Sequence, residues 1–212
     1  MKKSLMITAL LFIFLLVCLQ VSAQEEFQSD FGIVPPEIPS GSGMTAGELD
    51  KIFAQVDQSD QPPAFRLRRI YEWVMQKYQF DPEDSFTVEK ATDEETISLC
   101  LGEMIKNGSS GDAGFALLTH YLLGRLGHPS VIISGELKLP DGSSRAHQWN
   151  FVFYNNKWYH FDPLGEMLND SLNGFMNVDK DLLGSTMKWE EELQPTSAPR
   201  PVHSPYCECN NW

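Results

Sequence analysis

Two alternating, aromatic-rich segments, 146–154 and 157–162, are separated by nothing but Asn155 and Asn156. A two-residue hairpin loop needs positive φ at both central positions. Asparagine tolerates that, so the pair predicts an antiparallel hairpin closed by a type I′ turn. Such a loop permits one register: Tyr154 faces Lys157, Phe153 faces Trp158, Phe151 faces His160 and Trp149 faces Asp162. Side chains alternate along a strand, so His147, Trp149, Phe151 and Phe153 share a face with Trp158, His160 and Asp162. His147 then sits diagonal to Asp162, about 7–8 Å away at the backbone. A carboxylate at that reach orients an imidazole and selects its tautomer, as base catalysis requires. A buried histidine with one satisfied hydrogen bond is the plainer account of the same pair, and His160 is a rival partner for Asp162.

Upstream of the hairpin the apolar period changes from two to 3.6. Thr45 and Glu48 make a capping box for a helix with Leu49, Ile52, Phe53 and Val56 on its buried stripe. Pro62 and Pro63 open a second helix, with Phe65, Ile70, Trp73, Val74 and Tyr78 inward, and Asp81-Pro82 ends it. A third helix is expected over 92–105, with Leu99, Leu101 and Met104 inward, and then a loop over 106–111. Asp112 is placed as the N-cap of the most apolar helix, 113–126, which Gly127 terminates. A strand over 130–137 leads into the hairpin. One more helix is expected near 178–183, followed by a proline-rich tail. Helices first and antiparallel strands afterwards predict an α+β domain. No repeat of solenoid length is present.

The first 23 residues read as a secretory signal peptide. Lys2 and Lys3 precede an apolar run, and Val21-Ser22-Ala23 offers small residues for cleavage before Gln24. Residues 24–44 have the acidic, Pro/Gly/Ser-rich composition of a linker, residues 45–165 form the domain, and residues 166–212 are a C-terminal extension. The chain is therefore expected to be secreted or held in the cell envelope outside the cytoplasm. Its 16 basic and 29 acidic residues give a charge of −13, which excludes a nucleic-acid partner and disfavours anionic membrane surfaces after cleavage. Export leaves Cys100, Cys207 and Cys209, an odd number. A bridge between Cys207 and Cys209 would be strained, so a bridge from Cys100 to one of them is the better expectation.

In order along the chain stand Ile70-Tyr71-Glu72-Trp73-Val74, Tyr78-Gln79-Phe80-Asp81, Gly111-Asp112-Ala113-Gly114-Phe115-Ala116, Val131-Ile132-Ile133-Ser134-Gly135, His147-Gln148-Trp149-Asn150 and Trp158-Tyr159-His160-Phe161-Asp162-Pro163. Together, over roughly 65–165, they resemble the transglutaminase-like superfamily with its papain-like core. The resemblance implies a cysteine at a helix N-terminus that attacks an acyl carbon, a strand histidine that activates it and an aspartate that orients the histidine. His147 and Asp162 match the second and third roles. The first role falls on Asp112, because Gly114-Phe115-Ala116 pins the frame.

That substitution changes the chemistry. A thiolate beside an imidazolium at a helix N-terminus is a strong nucleophile. A carboxylate there is stabilised by the same dipole and is a poor nucleophile toward amides. It should instead form a static ion pair with His147 and raise the imidazole pKa, removing the base. The expected function is a pseudoenzyme whose degenerate cleft, with Trp149, Asn150 and Ser110 as candidate binding residues, holds a peptide or protein segment without a cofactor or metal. Two alternatives stand beside it. One is an active hydrolase or acyltransferase using an unrecognised nucleophile (Ser109, Ser110 or a cysteine), or a metal on Asp112, His147 and Asp162 with His160 as a fourth group. The other is a structural envelope protein. The hairpin aromatics, Trp149, Phe151, Trp158, Tyr159 and Phe161, are read first as core and second as a groove lining.

Overall fold

The computed structural model describes residues 45–57, 59–87, 94–154, 157–169, 176–178 and 187–189. The signal, the linker, Asn155-Asn156, Cys207, Cys209 and the Glu190-Glu191-Glu192 run lie outside them. Helix α1 (Ala46–Val56) begins at the expected capping box: the Thr45 N–H donates to Glu48 Oε2 at 2.8 Å and the Glu48 N–H to Thr45 Oγ1 at 3.2 Å. Helix α2 (Pro63–Lys77) follows, then β1 (Gln79–Phe80), α3 (Glu94–Asn107), β2 (Ser109–Ser110) and α4 (Asp112–Arg125). The second half holds β3 (Ser130–Lys138), β4 (Ser144–Tyr154), β5 (Lys157–Phe161), α5 (Pro163–Asn169), β6 (Met176–Val178) and β7 (Met187–Trp189).

β2 replaces part of the expected loop, and β1 takes the residues just before Asp81-Pro82, where the second helix was expected to run on; that helix ends at Lys77. β1 and β2 pair in parallel, with the Asp81 N–H on the Ser110 carbonyl at 2.9 Å, and so clamp the chain just before α4. The main sheet has five strands in the order β6-β5-β4-β3-β7, all antiparallel. The hairpin register is the expected one: Tyr154 opposes Lys157, Phe153 Trp158 and Phe151 His160. Gly135 is where β7 and the Trp149 ring both approach β3; a Cβ there would lie on the Lys188 carbonyl and 2.8 Å from the indole.

The core explains why α4 was the plainest helix in the sequence. It is buried nearly all round, from Ala113 to Leu123, because α1, α2 and α3 flank it and the sheet backs it. Val152, Tyr159 and Phe161 of the sheet join Leu67, Ile70, Tyr71, Leu118 and Leu122 of the helices in one apolar cluster. Fully burying one such side chain is worth about 1.5–3 kcal/mol.

Four expectations need correction. Phe65 and Leu99 are 37 % and 43 % exposed, because the helical faces that meet α4 are set by Leu67, Ile70 and Val74 on α2 and by Cys100, Leu101 and Met104 on α3. Asp112 is the first helical residue and Gly111 the N-cap, a one-residue shift. α5 was not foreseen, although Asp162 followed by Pro163 is the N-cap and N1 signature of a helix. Val178 ends a strand paired with β5, so the helix expected from it does not start there; residues 179–183 lie outside the described segments.

Candidate functional site

Three elements converge on one imidazole. His147 comes from β4, Asp112 from the first turn of α4 and Asp162 from the residue that follows β5. His147 Nε2 lies 2.7 Å from Asp162 Oδ2, while Nδ1 makes a close hydrogen bond with Asp112 Oδ1. The ring is 2 % exposed. Both nitrogens face carboxylate oxygens, which only accept, so both must donate and the ring is an imidazolium. Burial pulls its pKa down. The Asp162 charge and the hydrogen bonds donated to the two carboxylates outweigh it and hold the imidazole at about 9.

Each carboxylate has a second anchor. Asp112 Oδ2 pairs with Arg145 Nη2, and the Arg145 guanidinium lies 4.4 Å over the Phe80 ring. Asp162 Oδ1 accepts the Gly165 N–H at 2.8 Å and thereby caps α5. The hydroxyl of Tyr71, on α2, spans the Asp162 carbonyl (3.0 Å) and Glu166 Oε2 (2.5 Å). Burial first, and the Glu166 charge second, push the Tyr71 pKa well up, so this hydroxyl stays a donor. Arg145, Asp112, His147 and Asp162 form an alternating row of two cations and two anions whose charges cancel.

The approach to Asp112 is built with similar care. Asp84 Oδ2 accepts the Gly111 N–H at 2.8 Å and the Ser110 hydroxyl at 3.1 Å, and Asp84 Oδ1 accepts the Phe86 N–H at 3.0 Å. Burial opposes the Asp84 charge, but these three hydrogen bonds prevail and keep its pKa below the usual value. Gly114 is required here, because a Cβ would land on the Ser110 hydroxyl and 3.2 Å from Met104 Sδ.

The structure brings Asp112, His147 and Asp162 together and sets the three candidate binding residues aside. Trp149 is 1 % exposed, stacked on His147 at 5.6 Å and donating to His160 Nδ1 at 2.9 Å. Asn150 is fully buried and ties β4 to α4 through the Ala116 carbonyl at 3.1 Å. Ser110 is 3 % exposed and spends its hydroxyl on Asp84. The aromatics of the hairpin are core, not a groove wall. His160 accepts from Trp149 instead of competing for Asp162, and burial lowers its pKa to about 3. Cys100 lies buried on α3, its pKa raised to about 12 by burial first and by Asp84 and Glu103 next. Among the described residues no group of three or more His, Cys, Asp or Glu is arranged to hold a metal ion.

Arg145, Asp84, Tyr71 and Glu166 were missed by the sequence reading. Arg145 carried a usable signal, because it stands two residues before His147 and so shares its strand face. Beside the site, on the other side of Ser110, lies a cavity of about 350 Å³ between α3 and the segment 81–86.

A helix start and two antiparallel strands that bring an acid, a histidine and an aspartate together define a papain-like α+β domain. The chain belongs to the transglutaminase-like superfamily, whose model matches residues 50–163. Among solved structures, a candidate cysteine protease from Cytophaga hutchinsonii is 17 % identical, with a TM-score of 0.43 over 61 % of this chain and 40 % of that one. A protein described as a TGase is 16 % identical, with a TM-score of 0.45 over 79 % and 47 %. LapG of Legionella pneumophila is 14 % identical, with a TM-score of 0.37 over 59 % and 74 %. The chain thus spans less than half the length of the first two. No curated protein sequence matches it.

Proposed function

We propose that this chain is an exported transglutaminase-like domain that has lost cysteine-type acyl transfer and binds a peptide or protein segment. One observation carries the reading: the side chain at the start of α4 is a carboxylate already held by two cations, Arg145 and His147. A carboxylate so neutralised is a poor attacking group, and an imidazolium with both N–H groups committed accepts no proton at neutral pH. The resemblance puts the family's thiol at this position, so both the nucleophile and the base are absent there. Peptide binding is supported by the cavity of about 350 Å³ beside the site. Export rests on the N-terminal signal alone.

Asp112→Cys tests the assignment. The new thiol should react with iodoacetamide faster than a free cysteine, by about ten-fold or more, and should slow when His147→Ala is added. An inert thiol would mean that residue 112 does not hold the nucleophile seat. Wild-type protein should not be labelled by acyl-directed activity probes. Labelling that disappears in His147→Ala would overturn the loss of catalysis.

A further inference from the structure

The cavity beside Ser110 has a composition that selects its occupant. Its polar corners are Asp81, Asp84 and Glu103, and no lysine or arginine lines it among the described residues. Asp84 is fully spent on Gly111, Ser110 and Phe86. Asp81 uses one oxygen, which accepts the Glu83 N–H at 3.0 Å, and the exposed Glu103 lines the cavity from α3. Among the described residues, negative charge without a lysine or arginine beside it therefore faces the space. Burial first, and the Asp84 and Glu103 charges next, raise the pKa of Cys100 in the wall.

The other walls are apolar. Phe86 and Met104 line the cavity, and Leu99, a large apolar side chain 43 % exposed, stands with them. A small ion would leave about 350 Å³ and this apolar wall unused. A long aliphatic stem ending in a cation satisfies both halves, because such side chains pack their methylenes on apolar surface and keep the charged head among acceptors. The charge of −13 on the whole chain draws a cationic segment toward it.

We infer that this cavity seats a lysine or arginine side chain of the bound peptide, so that the domain recognises basic segments. The inference rests on the peptide-binding reading above and specifies its ligand. The cavity and the approach to α4 share Ser110 as a common wall.

The test uses the full chain and three fluorescein-labelled Gly-Ala-X-Ala-Gly-Ser peptides, with lysine, norleucine or glutamate at X, followed by fluorescence anisotropy. Norleucine keeps the stem and drops the charge. The lysine peptide should bind about ten-fold tighter than the norleucine peptide, and the glutamate peptide weakest. The lysine preference should shrink at about 0.5 M salt. Glu103→Lys should erase the preference, and Leu99→Ser should weaken lysine and norleucine peptides alike by a few-fold. Both positions are exposed, and a thermal melt checks that each variant folds. Equal binding of all three peptides, or a lysine preference untouched by Glu103→Lys, would overturn the cavity assignment and leave peptide binding standing. No binding of any peptide up to about 1 mM would overturn both.

Discussion

Two buried histidines stand on the same hairpin, one charged and one neutral. His147, on β4, is 2 % exposed and sits between two carboxylates with its pKa near 9. His160, on β5, is fully buried, lies 4.1 Å from the Phe151 ring and is lowered to about 3. Burial acts on both in the same direction, against the charged ring. What separates them is position: one faces the helix start and the strand end that supply Asp112 and Asp162, and the other faces indole and phenyl rings. The sheet centre keeps a neutral hydrogen-bond acceptor for Trp149, whereas the site end keeps a cation that donates to two acids.

That contrast is broken most sharply by substitution. His147→Gln leaves Asp112 and Asp162 buried without their shared cation and should cost about 3–5 kcal/mol in urea unfolding, since removing one member of a buried ion set strands the others. His160→Phe keeps an aromatic ring and removes the acceptor of the Trp149 N–H, so it should cost less, about 1–3 kcal/mol. Equal losses would mean that the acids around His147 add nothing to burial.

The pH dependence sharpens the same contrast. Between about 6.5 and about 9 the folded chain keeps the His147 proton that the unfolded chain has released, so stability should fall as pH rises through this window, by about 3 kcal/mol at most. Below 6.5 the sign reverses for His160. The unfolded chain takes up a proton that the folded ring refuses until about 3, so acid should destabilise. Unfolding free energies measured across pH 4–9 in wild type, His147→Gln and His160→Phe should assign the alkaline limb to the first histidine and part of the acid limb to the second.

The smallest effect belongs to the rim of the site. Arg145→Ala removes a partly exposed ion pair with Asp112 and a stacking contact with Phe80, and should cost about 1 kcal/mol. Asp112 would then answer to His147 alone, so the imidazole pKa followed by NMR should rise. A fall would show that Arg145 does not compete for that carboxylate.

Much of this was legible in residue order. The two-residue gap between Tyr154 and Lys157 determined the hairpin register, and with it the diagonal between His147 and Asp162, because strand pairing repeats every two residues. The segment from Ala113 to Leu126 was legible as a helix, and the structure shows it buried nearly all round as far as Leu123. The identity of residue 112 announced an ion pair with His147. Arg145, Asp84, Tyr71 and Glu166 were not legible in these roles. Each acts across a long stretch of chain, and nothing local distinguishes a strand arginine on the surface from one turned onto a helix start.

The sequence by itself determined the register, the helix that faces it and the acid at that helix's first turn, since these follow from local periodicity and turn chemistry. Only the tertiary structure decided that Trp149, Asn150 and Ser110 would be spent on packing and internal hydrogen bonds, and that the open space would lie beside Cys100 instead. Which side of an amphipathic element meets solvent depends on what other elements cover, and that is a property of the assembled core.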